Sequence, residues 1–164
     1  MSSRLFANPD QVLIHRFFAQ EEQALAFDAN PMAVALGTQL LHVDRSAKRV
    51  ELAFAPQALF VQGTGVIQGG AVTAMLDFAM AFACLAALPG EASCATVNLN
   101  TSFLRAAPQG TYLASGVVER LARQLAFARA ELRRADDGVV VANATSTLTL
   151  LWPRGSATAA DAKP

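Results

Sequence analysis

The spacing of apolar positions divides the chain into a helical opening, a short hairpin, one long helix apolar on every side, and a run of alternating segments. From residue 9 to about residue 29, Val12, Ile14, Phe17, Phe18, Leu25 and Phe27 recur at mixed three- and four-residue spacing among Gln and Glu. That pattern predicts a helix, closed by Asn30-Pro31. Two short strands are expected at about 38–43 and 49–55, joined by the polar DRSAK turn and ended by Pro56. The segment 57–70 is loop-like and carries Gly63, Gly65, Gly69 and Gly70. It runs into 71–88, AVTAMLDFAMAFACLAAL, which Pro89-Gly90 stops. Beyond it the period becomes two: Val97, Leu99, Thr101 and Phe103 alternate with Thr96, Asn98, Asn100 and Ser102, the signature of a half-buried strand. Three further strand-like runs fall at about 111–121, 124–135 and 139–151, with turn signals at Pro108-Gln109-Gly110 and Asp136-Asp137-Gly138. Four consecutive strands with short links predict an antiparallel meander. The whole order predicts an α+β fold in which one antiparallel sheet wraps the apolar helix. Residues 1–35 form an N-terminal helical segment in this reading, 36–152 the main domain, and 153–164 a disordered tail without a large apolar residue.

Composition narrows the function classes. The 164 residues are 53% apolar, enough for one packed core, and thirteen basic residues balance thirteen acidic ones. The charges are scattered along the chain, which argues against a nucleic-acid partner. Cys84 and Cys94 lie in apolar surroundings without metal-ligand spacing and read as reduced core residues, fitting a cytoplasmic location. Asn8, Pro9 and Asp10 interrupt the segment where a secretory signal needs an unbroken apolar run, so export is not expected. The segment 71–88 is long enough to raise the question of a membrane span. Asp77 in its first half would be costly in lipid and no Lys or Arg flanks it closely, so a helix buried by protein is the expectation, with no membrane partner.

The stretch VQGTGVIQGGAVTAMLDFAMAFA, followed by TVNLNTSFLRAA and later by the DDG hairpin, resembles the hot-dog fold acyl-CoA thioesterases of the PaaI-like, phenylacetate-degradation type. The resemblance runs from about residue 36 to residue 150, and the spacing from the glycine pair to the helix Asp is its most specific part. It implies a sheet wrapped around a central helix, assembly into a homodimer or a dimer of dimers with sites shared between subunits, and hydrolysis of acyl-CoA esters. CoA is then part of the substrate, and no further cofactor is implied. By the same resemblance Gln62 occupies the position of the family's Asn in the loop before the helix, and Gln68 stands where many members have the His of an HGG motif. Gln keeps donor and acceptor ability but cannot titrate, so Gln68 is expected to orient the loop or the thioester. Thr96 matches the position whose hydroxyl helps place the attacking water.

The residues themselves support that chemistry. Thioester hydrolysis needs a base or nucleophile near the carbonyl carbon and donors aimed where negative charge develops. Asp77 is the one ionised group of the long helix, and the backbone N–H groups of Gly69 and Gly70 stand at its N-terminus, backed by the helix dipole. Positions 70 and 77 lie two turns apart, about 10 Å along the axis, so one carbonyl cannot readily touch both. Antiparallel helices in a twofold dimer would set Asp77 of one subunit opposite Gly69 of the other. Arg105, Arg120 and Arg123 are candidates for the CoA phosphates, against the plainer reading of solvated strand-end arginines. His15 and His42 have no acidic or cysteine partner at useful spacing, and no metal site is expected. Asp77 is open to two roles, general base or nucleophile. Two other functions remain open on sequence alone: a hot-dog hydratase or dehydratase, and a module that binds acyl-CoA without turning it over.

Overall fold

A computed structural model describes residues 8–19, 24–90 and 92–152. The predicted tail, 153–164, lies outside them. The elements run α1 (Pro9–Ala19), β1 (Leu25–Ala26), α2 (Pro31–Ala35), β2 (Gln39–Asp44), β3 (Arg49–Phe54), α3 (Gly69–Ala87), β4 (Ser93–Phe103), β5 (Tyr112–Leu121), β6 (Leu125–Arg134) and β7 (Val140–Leu151). Among the described residues the strands form one seven-stranded sheet in the order β1-β2-β3-β5-β6-β7-β4, and every pairing is antiparallel. This is the helix-in-sheet α+β architecture that the resemblance implies.

The all-round apolar helix is the core. α3 packs against β3, β4, β5, β6 and β7. It buries Met75, Leu76, Ala79, Met80, Phe82, Ala83 and Cys84 almost completely against Leu52, Phe54, Tyr112, Leu132 and Leu148 of the sheet. Its length and composition alone would allow a membrane crossing, and 61% of its most apolar stretch is buried inside the molecule. Helix and sheet come close at Gly116 in β5, where a Cβ would stand 2.1 Å from the Ala79 carbonyl oxygen of α3.

Several expectations are corrected. The opening helix ends at Ala19 instead of extending to about residue 29; Leu25 and Phe27 are buried while Ala26 and Asp28 are exposed, so period two wins there and β1 pairs with β2. Asn30, expected to close a helix, instead caps α2, its side-chain oxygen accepting from the Ala33 N–H at 3.3 Å. The N-terminal segment thus contains β1 as well as α1 and α2. α1 docks on the core through the buried Gln11, whose amide donates to the carbonyls of Ala92 (2.8 Å) and Leu85 (3.4 Å).

The four-strand meander is only three strands long. β5, β6 and β7 follow one another, but β4 pairs with β7 at the sheet edge, and β5 lies beside β3. The link at 104–111 crosses between these positions and is tied down by Ile67 N–H donating to the Ala107 carbonyl at 2.7 Å. The strict alternation expected for β4 also breaks. Its register against β7 slips between Thr96 and Asn98, a bulge that turns Thr96, Leu99, Thr101 and Phe103 toward the same side as the buried Leu148, Ser146, Ala144 and Ala142. Without it Thr96 would point away from the helix.

Candidate active site

That bulge makes the central contact of the site. The Thr96 hydroxyl donates to Asp77 Oδ1 at 2.9 Å, joining the edge strand to the helix. Asp77 is half-buried, and burial raises its carboxyl above the ordinary carboxylate range while the Thr96 bond pulls it partly back down. On the helix it falls within a stripe the sheet covers least: Gly70, Thr73, Ala74, Asp77, Phe78 and Ala81 are all only partly buried or exposed, at i, i+3, i+4, i+7 spacing. β4 beside that stripe is a long edge strand whose Val97 and Phe103 are 60% and 57% exposed.

The helix N-terminus forms the second part. Gln68 is the N-cap of α3: its backbone carbonyl accepts from Ala71 and Val72, its N–H donates to the Phe60 carbonyl at 2.8 Å, and its side-chain oxygen accepts from the Gly69 N–H at 3.1 Å. These bonds tie Gln68 to both the loop before the helix and the first turn of α3. The same contact occupies the Gly69 donor, and a ligand oxygen would have to displace one neutral hydrogen bond worth about 1 kcal/mol net. Gly70 is exposed and its N–H, in the first turn, has no partner within the helix. Gln62 sits in the tight turn before the helix, accepting from Gly65 N–H and donating its own N–H to Val66, with its side chain exposed.

A cavity of 390 Å³ opens beside Gly69, lined by Val66, Ile67, Val72, Phe103, Leu104 and Arg105 among others. The structure therefore brings Arg105 to the Gly69 end, where its guanidinium also donates to the Val140 carbonyl at 3.0 Å. Arg123 lies in the β5–β6 turn, at the end of the sheet where Leu125 pairs with Thr149, opposite the Phe103 and Arg105 end. Arg120 pairs with Phe127 near that same far end. The side chains of His15 and His42 stay outside the site: His15 packs on Gly90, and His42 is exposed on β2. Both cysteines are free, and the Cys94 thiol, donating toward Cys84 and buried, is pushed up, away from thiolate chemistry. On sequence Phe103 was a residue of the half-buried strand, open to a pocket or a packing role, and Gly116 was not singled out. A glycine inside an otherwise regular strand was the available signal for the second.

Comparison with known proteins places this geometry in a family. The Thioesterase superfamily model matches residues 64–141. A Deinococcus radiodurans protein described as a candidate esterase is 34% identical over 116 residues, which is 70% of this chain and 75% of that protein. A phenylacetic acid degradation-related protein of Ralstonia eutropha JMP134, a candidate thioesterase, is 34% identical, superposes with a TM-score of 0.73, and the match covers 84% of this chain and 98% of that one. The Escherichia coli PaaI protein of the phenylacetic acid degradation operon shares the fold at a TM-score of 0.68 with 18% identity, over 86% of this chain and 92% of that one. The chain belongs to the thioesterase superfamily and has the hot-dog fold of its PaaI-like members. The chemistry of that class is thioester hydrolysis.

Proposed function

We infer that the chain hydrolyses acyl-CoA thioesters to free acid and CoA, with Asp77 as the catalytic carboxylate. The observation that carries this reading is the half-buried Asp77 side chain, held by Thr96 on the face of α3 that the sheet leaves open. A second copy of the chain is the natural cover for that face. β4 offers eleven residues of edge strand with one side unpaired, and its exposed Val97 adjoins the Asp77 stripe. Twofold pairing along β4 sets the two α3 helices antiparallel, with Asp77 of one subunit opposite Gly69 of the partner subunit. The unit proposed is a homodimer or a dimer of such dimers.

In the general-base route, water loses its proton to Asp77 as its oxygen adds to the thioester carbonyl carbon. The carbonyl oxygen becomes an oxyanion held by the N–H groups of Gly69 and Gly70 at the helix N-terminus. Collapse breaks the C–S bond, and the departing CoA thiolate recovers the proton from Asp77. In the nucleophilic route an Asp77 oxygen itself attacks, CoA thiolate leaves, and water then hydrolyses the mixed anhydride. Single turnover in labelled water separates the two, because only the second route carries label into the Asp77 carboxylate. Gln68, after releasing Gly69, is left with an amide that can donate to the same oxygen. Gln62 in the preceding turn supports that loop, and Arg105 at the cavity mouth meets the negative part of the substrate. Arg123, at the far end of its own sheet, can serve a CoA only across the subunit boundary.

Thiol release from a panel of aryl and aliphatic acyl-CoAs tests the activity, with sedimentation to give the assembly state. Release by a dimer or tetramer is expected, and Val97→Glu, which puts charge on the exposed edge, should yield a monomer with little activity. A Val97→Glu monomer that hydrolyses as fast as the native chain would remove the shared site, and enoyl hydration without thiol release would replace the reaction.

The pH profile gives an independent check. The carboxylate is the active form, so activity falls as acid protonates Asp77, through a pKa already raised by burial. The Thr96 bond favours the carboxylate; Thr96→Val removes it and should move the acid limb of kcat/KM to higher pH while leaving the upper plateau within several-fold. An acid limb that stays in place would assign it to another group.

A further inference from the structure

We propose that Phe103 is a specificity-determining residue that selects the acyl group by its bulk next to the thioester carbonyl. This rests on the reading above that the Gly69 N–H receives the carbonyl oxygen. Phe103 is the last residue of the edge strand β4 and is 57% exposed, so the ring contributes little to the core. Its far end nevertheless lies on the helix N-terminus. A Cβ built on Gly69 would stand 3.2 Å from Phe103 Cζ, 3.4 Å from Cε1 and 3.8 Å from Cε2. Gly69 has no positive φ to explain its glycine; the space beside it is already taken by the ring.

The ring is also a wall of the 390 Å³ cavity that contains Gly69, with Val66, Ile67, Val72 and Leu104 as the other apolar walls. An oxygen about 2.9 Å from the Gly69 nitrogen places the acyl carbon and its first neighbour within about 5 Å of that residue. With the sulfur turned toward Arg105 and the acyl side toward the apolar walls, Phe103 stands beside the acyl α-carbon and not at the far end of the chain. An unbranched acyl group passes the ring edge, whereas a branch on the α-carbon collides with it, so total length matters less than width at the first carbon.

The test compares native protein, Phe103→Leu and Phe103→Ala in thiol release from isomeric pairs, n-butyryl-CoA against isobutyryl-CoA and n-pentanoyl-CoA against pivaloyl-CoA. Calorimetry measures affinity for the matching carba(dethia)-CoA ketones, in which a methylene replaces the sulfur so that the carbonyl stays and hydrolysis cannot occur. The native chain should favour the linear isomers, and both variants should raise the branched-to-linear ratio of kcat/KM by roughly ten-fold or more, as the removal of a wall from a selective pocket does. The ketone affinities should shift in the same direction. Ratios that stay within about two-fold of native in both assays overturn the role of Phe103. No thiol release, with the ketone ratio still shifted, defeats hydrolysis but leaves the selecting role of Phe103 standing.

Discussion

Asp77→Asn should lower kcat/KM for acyl-CoA hydrolysis by roughly 10²- to 10⁴-fold, the usual worth of a positioned base. The substitution is nearly isosteric. The Asn carbonyl can still accept the Thr96 hydroxyl that now bonds Asp77 Oδ1 at 2.9 Å, so the contact between helix and edge strand survives. What disappears is the carboxylate. α3 holds no other Asp, Glu, His, Lys or Arg, and the nearby Cys94 thiol is pushed up. Burial already disfavours charge at position 77, so the variant should melt no lower than the native chain at neutral pH. The sign follows from linkage. A carboxyl whose folded pKa is raised costs no stability below its unfolded pKa, and the cost develops as pH rises through the folded value; a neutral amide escapes it. Stopped assays of thiol release with circular dichroism melts give both numbers. Equal rates for the two proteins would displace Asp77 from the chemistry.

Gly116→Ala, at the one glycine within a described strand, should be strongly destabilising. The added Cβ would stand 2.1 Å from the Ala79 carbonyl oxygen, 2.4 Å from its carbon and 2.9 Å from the Met80 nitrogen. These are backbone atoms of α3 and no rotamer change can move them, so the helix must lift from β5. Overpacking of this kind costs about 3 kcal/mol at the upper end of its common range. For a domain of this size that lowers Tm by roughly 6–12 °C. Asp77 lies two residues before Ala79, so kcat/KM should also fall at temperatures where the variant remains folded. A melting temperature within about 1 °C of native would show that α3 does not rest on Gly116 as closely as described.

Several features were legible residue by residue. The span of α3 follows from an apolar run bounded by a glycine pair and Pro89-Gly90, and the β6–β7 hairpin from Asp136-Asp137-Gly138. Asp77 stood out because a carboxylate among side chains such as Leu76, Phe78 and Met80 needs a reason. The extended stretch at Leu25 and Phe27 was hidden because Leu25 also falls seven residues after Phe18, a helical spacing, and burial under the sheet chose the strand period. Whether β4 would pair with β5 or β7 was equally open, since strand patterns name no partner.

Local chemistry thus settles which segments are helix or strand, which helix must be interior, and which carboxylate is out of place there. Those properties depend on near neighbours in the chain. The edge position of β4, the bulge that turns Thr96 onto Asp77, the Gln68 oxygen on the Gly69 donor, Phe103 against Gly69 and the seat of α3 on Gly116 arise only in the packed molecule. Each joins residues far apart in sequence or picks one of several side-chain placements of similar local energy, and the packing of helix against sheet makes that choice.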